Sequence, residues 1–137
     1  MLQFYFLSIL LNTVTGLVLL FTDRNETELV SEGKVPAIVH DETFRLVLGV
    51  LTSVTGFFKL LTAVRGDVPV IGDLFPALAG LAGGFTLLYE FYKTRSTIEQ
   101  ENLHPIIQKI VSSKRYVGVA CIFAACFHFL FPTILFL

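Results

Sequence analysis

Three side chains whose types could do chemistry together come from three separate stretches of the chain: Lys59, Asp73 and His128. Each lies in or at the edge of a long apolar run, where an ionisable group is costly unless it pairs or meets water. Lys59 stands six residues before Arg65, Asp73 opens the following run, and His128 lies in the later half of the last one. In an up-down arrangement all three fall at one end, with Asp67 in the short connection beside them. An ammonium, a carboxylate and an imidazole around a vestibule can take up an anion, relay a proton or clamp helices together. The plainer reading, which these residues favour, gives each a local task. Lys59 snorkels toward headgroups, Asp73 caps its helix, and His128 donates to a backbone carbonyl.

Other polar residues carry weaker signals. Asn12 falls in the middle of the first apolar run, where an amide is expected to bond a neighbouring helix. Glu90 stands near the far end of the third run and is expected to pair with Lys93 or Arg95. His40, Asp41 and Glu42 are adjacent in sequence and so converge poorly on one metal ion, and Asp41 reads more simply as a helix N-cap. Cys121 and Cys126 sit five positions apart on different faces of a helix, too far for easy bridging. There is no phosphate-binding glycine loop, no HExxH pair, and no Ser or Cys beside a recognisable base. The expectation is a protein with no metal, no cofactor and no catalytic activity.

The elements that position these residues follow from composition. The chain has 137 residues, of which 54% are hydrophobic and 15% charged, with a mean hydropathy of +0.74. A soluble domain of this length needs more polar surface, so the surplus apolar side chains call for lipid as their solvent. A span needs about 20 apolar residues, and four stretches qualify: 2–21, 44–64, 74–92 and 116–137. The sequence therefore predicts a single all-α domain over 1–137, a polytopic membrane protein with four transmembrane helices in a compact bundle. No Lys or Arg precedes Phe21, so the first stretch reads as a retained helix rather than a cleaved signal. Within the third connection, Leu103, Ile106, Ile107, Ile110 and Val111 recur at helical spacing around Pro105. They predict a short interfacial amphipathic helix between spans three and four.

Basic residues set the orientation. The two long connections carry Arg24, Lys34, Arg45, Lys93, Arg95, Lys109, Lys114 and Arg115, against Lys59 and Arg65 on the opposite side. That places both long connections in the cytoplasm and both termini outside a plasma or inner membrane. The sequon at Asn25 points the other way, since it is used only in a luminal segment. The net charge of -1 offers no field for nucleic acid.

An internal similarity links the first two spans. Leu11-Asn-Thr-Val-Thr-Gly16 is echoed forty residues later by Leu51-Thr-Ser-Val-Thr-Gly56. Successive spans run in opposite directions, so the two would be related as an inverted repeat; recurrence of Thr and Gly wherever membrane helices pack closely explains the echo equally simply. Small residues at four-residue spacing mark helix-packing faces, here Gly16, Gly56, Gly80 with Gly84, and Ala120 with Ala124, which makes spans three and four neighbours.

Small four-span multidrug exporters carry an acidic residue in the middle of the first span, and membrane enzymes of glutathione metabolism an Arg- and Asn-rich run on the second; neither feature is present. Two functional expectations remain. The first is a non-catalytic membrane subunit or scaffold that packs as a homo-oligomer or with other membrane protein subunits, its surroundings being the lipid bilayer. The second is a small oligomeric transporter or channel with a polar outer vestibule around Lys59, Asp73 and His128.

Overall fold

The computed structural model describes residues 2–22, 36–61, 74–96 and 105–131, and all regular structure among them is helical. Helix α1 runs Leu2–Phe21, a 3-10 turn covers Ala37–His40, α2 runs Glu42–Leu61, α3 Leu74–Arg95, α4 Pro105–Ser112 and α5 Lys114–Leu130. Helices α1, α2 and α3 are long and apolar enough to cross a membrane.

Local chemistry explains the ends. Asp41 sits in extended conformation and its carboxylate accepts from the Thr43 N–H at 3.3 Å, so α2 begins at Glu42, two residues before the apolar run. Pro105 opens α4, where a missing N–H costs nothing. Lys93 and Arg95 extend α3 to Arg95, past the expected end at Tyr92, and place positive charge at the negative end of its dipole. The fourth stretch departs most from expectation: its helix begins at Lys114 and closes at Leu130 rather than running 116–137. Phe131 leaves the helical region at φ -129°, ψ 66°, and it precedes Pro132, whose ring disfavours a helical residue before it. Residues 132–137 lie outside the described residues.

The four long helices alternate in direction, as their end contacts require. The start of α1 meets the ends of α2 and α5 through Tyr5, Lys59 and His128, whereas Arg45, Glu90 and Lys114 join the start of α2, the end of α3 and the start of α5. The closest pairings are α2 with α3 and α1 with α5; α1 also packs on α3, whereas the backbones of α2 and α5 scarcely approach.

Backbone proximity depends on glycine at these crossings. A Cβ on Gly16 would lie 2.7 Å from the Gly118 carbonyl of α5, and one on Gly118 2.9 Å from the Gly16 carbonyl, so the α1–α5 crossing is reciprocal. Of the expected packing residues, Gly56 meets the Ala77 carbonyl, Gly84 faces Gly49 and Ser53 of α2, and Ala124 is buried. Ala120 corrects the expectation: it is exposed. The buried face of α5 is Gly118, Cys121, Ala124, Ala125 and His128, and Ala120 is rotated off that stripe. Gly80 and Gly84 likewise look toward α2 and Asn12, while Ala79 and Gly83 meet α5 through Cys121.

The forty-residue echo reaches further than the motif that reveals it. Helices α1 and α2 begin forty residues apart, and so do α3 and α5. Exchanging α1 with α2 and α3 with α5 maps the α1–α5 crossing onto α2–α3, and carries Gly16 against α5 onto Gly56 against α3.

Candidate functional site

Along α1, Tyr5, Ser8, Asn12, Thr15 and Thr22 recur at three-, four- and seven-residue steps, and along α2 so do Arg45, Thr52, Thr55 and Lys59. Both stripes turn inward, and Ser8, Asn12, Thr15, Thr52, Thr55 and Lys59 are all buried. They meet as a polar seam between the helices.

At one end of the seam, Lys59 Nζ lies 2.6 Å from His128 Nε2, with the two residues only 3% and 1% exposed. A hydrogen bond between these nitrogens needs one lone pair, from a neutral imidazole or a neutral amine, so the bonded pair carries at most one positive charge. Tyr5 completes the group. Its hydroxyl donates to the His128 carbonyl at 2.7 Å, its ring lies 4.6 Å from the imidazole, and Lys59 Nζ stands 5.6 Å from the ring centroid. Asp73, expected to complete the trio, lies outside the described residues. Lys59 does not snorkel outward; it is buried against His128.

In the middle of the seam, Asn12 Nδ2 donates to the Pro76 carbonyl at 3.0 Å, tying α1 to the first turn of α3. Its Oδ1 is buried without a partner and faces the open side of Gly80. The surrounding crevice, lined by Ser8, Thr52, Thr55 and Gly56, is too narrow to admit a water molecule in this conformation. Thr52 donates to the Leu48 carbonyl at 2.7 Å, which uses its one proton, so in the 2.8 Å contact between hydroxyls Thr15 is the donor and Thr52 the acceptor.

Beyond Thr15 the seam closes. Leu11, Val18, Leu19, Leu48 and Leu87 form a buried apolar cluster that separates it from the charged groups at the far end. There Glu90 accepts from both Arg45 and Lys114, the latter at 3.2 Å, and Arg95 pairs with Glu42 at 3.3 Å. Glu90 thus bonds across helices, not to the Lys93 or Arg95 expected from sequence; its carboxylate points into the junction of α2, α3 and α5, where Arg45 and Lys114 are waiting.

Sequence reasoning missed Tyr5 and the Arg45–Glu90–Lys114 junction. An aromatic at the start of an apolar run reads as lipid-facing; the usable signal was its place in the stripe with Ser8, Asn12 and Thr15. Among the described residues, no group of three or more His, Cys, Asp or Glu side chains could hold a metal ion. Asn12, Thr15, Lys59, His128 and Glu90 bond across helices, and Cys121 and Cys126 are free thiols, one buried and one exposed.

No solved structure matches the chain. A protein-family model matches residues 1–128. A protein of Treponema pallidum (strain Nichols), described only as an uncharacterized protein, is 32% identical over 137 residues and the alignment covers the whole of both chains. With identity at that level from end to end, the chain belongs to the same family as this Treponema pallidum protein.

Proposed function

We propose that the chain is an integral membrane protein of four spans, folded as a compact bundle, that acts as a non-catalytic subunit or scaffold packing against copies of itself or a larger membrane complex. One observation carries the membrane part. The distribution of side chains is inverted relative to a protein dissolved in water. Phe6, Leu10, Phe57, Leu61, Phe123 and Leu130 point outward, each more than half exposed, while Asn12, Thr15, Thr52, Lys59, Thr86 and His128 are buried. Hydrocarbon accepts the first set, and the second then supplies the interhelical bonds and small contacts that hold helices together in lipid. The described part of α5, 17 residues, spans about 26 Å, close to the thickness of a bilayer core, and α4 lies beside it at the interface.

The subunit part rests on the closed interior. The seam ends in an apolar cluster, and bonds from Asn12, Thr15 and Lys59 cross between helices, which suits a packing element better than a conduit. The concentration of Arg45, Lys93, Arg95, Lys109, Lys114 and Arg115 at the Glu90 end supports placing that end in the cytoplasm. Extraction in mild detergent followed by native mass spectrometry tests the reading. A defined oligomer or a co-purifying chain is expected; a lone monomer overturns the subunit role, and a protein that stays monodisperse in buffer without detergent overturns the membrane assignment.

The Lys59–His128 bond favours a second reading, a small oligomeric transporter whose polar vestibule lies at that end. Flux in proteoliposomes that vanishes with Lys59→Ala or His128→Ala supports it, and flux no greater than in protein-free liposomes disposes of it.

A further inference from the structure

We propose that the Lys59–His128 contact is a latch worked by a proton: one further proton on the pair breaks it and lets water reach Asn12 from that end of the bundle. Such a latch goes beyond a subunit's packing role and needs no transported cargo.

Proton counting gives the latch its sense. The 2.6 Å bond between Nζ and Nε2 needs a lone pair on one of the two nitrogens. When an ammonium faces an imidazolium neither has one, and two like charges meet in a site where Lys59 and His128 are both buried. The bond therefore holds at higher pH and is lost as the pH falls. Tyr5 faces the pair from α1, and its hydroxyl is spent as a donor to the His128 carbonyl, a bond that another proton on the pair leaves intact. That carbonyl is open to a side chain because the residue four positions on is Pro132, which has no N–H to offer. On α2 and α5 no other described residue at this end is charged, Cys126 being an exposed thiol, and α3 carries its titratable side chains from Tyr89 onward, at its far end. Arg65, Asp67 and Asp73 of the neighbouring connection lie outside the described residues; charges there set the pH of the step and not the number of protons in it.

Packing shows what the latch holds. Helix α2 is seated on α3 and α1 on α5, while the backbones of α2 and α5 scarcely approach, so at this end side chains bridge the two pairs. Among the described residues Lys59 and His128 make the outermost polar bridge, and the Asn12–Pro76 and Thr15–Thr52 bonds lie deeper. Behind it is the crevice bordered by Ser8, one turn along α1 from Tyr5, and Thr55, one turn along α2 from Lys59. With the bond made, that crevice is closed to water and the buried Asn12 Oδ1 has no partner. Parting of Lys59 from His128 opens the row from its end, and water that enters donates to Oδ1. The apolar cluster of Leu11, Leu19, Leu48 and Leu87 stops it there, so the opening is one-sided.

Ser8→Cys in a Cys126→Ser background puts a thiol in the crevice and leaves Cys121, buried between α3 and α5, to report on global opening. The full chain in mild detergent is treated with dithiodipyridine from about pH 8 to about pH 5, the range in which histidine changes charge, and each thiol's rate is divided by that of glutathione at the same pH. The expected result is a rate at Ser8→Cys that rises as the pH falls, by up to about tenfold per pH unit for one proton, while Cys121 stays protected. Lys59→Gln puts in place of the ammonium an amide that donates to a neutral imidazole and accepts from a protonated one, so the rise is expected to vanish. Should that variant expose Cys121 at the higher pH, His128→Gln serves the same purpose, since its amide oxygen accepts from the ammonium throughout; Thr55→Cys stands in for Ser8→Cys on the same ground. A rate that does not change with pH overturns the proposal. So does a rise that persists in the glutamine variant, for then the pair is not the sensor, and so does a parallel rise at Cys121, because the helices then come apart as a whole.

Discussion

The two glycines of the Gly80/Gly84 pair should respond very differently to the same substitution. A Cβ at Gly84 would stand 2.7 Å from the Ser53 amide nitrogen and 2.8 Å from the Gly49 carbonyl, both backbone atoms of α2, where ordinary contact begins near 3.4 Å. Gly84→Ala therefore pushes α2 from α3 by about 0.6 Å at the closest helix pairing in the molecule. Overpacking of this kind costs about 1–3 kcal/mol, offset by up to about 1 kcal/mol of helix propensity, for an expected loss of about 1–2 kcal/mol. At Gly80 the nearest atom is Asn12 Oδ1 at 3.1 Å, the end of a side chain, and the nearest backbone atom is 3.5 Å away. The gain in propensity then roughly balances the contact, and Gly80→Ala should be within about 0.5 kcal/mol of the parent. The protein supplies its own reporter: with Cys126→Ser as background, the buried Cys121 is the one remaining thiol, and its rate of maleimide labelling against temperature in detergent follows unfolding. Equal losses for the two variants, or a neutral Gly84→Ala, would refute the close backbone approach on which the helix arrangement is built.

Further outcomes follow from the seam and its ends. Lys59→Met and His128→Leu, made singly and together, should show a coupling of about 0.5–3 kcal/mol; additive losses would mean that the 2.6 Å contact does not persist in the folded protein. Asn12→Leu gives up one interhelical bond, about 0.6 kcal/mol on average in membrane proteins, but also removes an unpartnered oxygen, so its thermal labelling curve should lie close to the parent's; a collapse of the fold would show that Oδ1 has a partner. Glu90→Gln removes the negative charge that faces both Arg45 and Lys114 and turns one of its two acceptor oxygens into a donor, and should cost about 1.5–3 kcal/mol, while Glu42→Gln, in a pair exposed to solvent, should cost under about 0.5 kcal/mol; the reverse ranking in the same assay would locate the clamp elsewhere.

The elements were readable because their cause is local. Apolar runs longer than a soluble core helix needs, Asp41 before α2 and Pro105 at the head of α4 each act through their own neighbours, so their helices could be drawn without knowing the fold. The departures have local causes too: Pro132 should have ended α5 before Phe131, and an apolar count alone overlooks it. Pairings were harder because they depend on which helices touch. Glu90 has basic residues three and five positions ahead of it, yet bonds Arg45, forty-five residues away, and Lys114. Likewise Ala120 and Ala124 share a sequence spacing, but only the arrangement of α1 and α3 around α5 decides that Ala124 faces inward and Ala120 does not.

The repeat bears on the choice between a packing subunit and a transporter. Under the forty-residue relation the backbone crossings match, and so does the middle of the seam, where Asn12 corresponds to Thr52 and Thr15 to Thr55, but other positions do not: Ser8 corresponds to Leu48, Lys59 to Leu19, and His128 to Leu88. Two of these counterparts, Leu19 and Leu48, belong to the apolar cluster that closes the seam. In a carrier whose halves exchange conformations to open alternately on each side, both ends must offer the cargo a comparable path. A repeat kept in its small residues and in the polar positions of its middle, but lost at Lys59 and His128, preserves helix contacts, since Gly16 and Gly56 must still admit a neighbouring backbone, while freeing the ends to differ. That pattern favours the packing role for the repeat itself. It leaves Lys59, His128 and Tyr5 as a one-sided feature whose partner, if it has one beyond the bundle, approaches from that end alone.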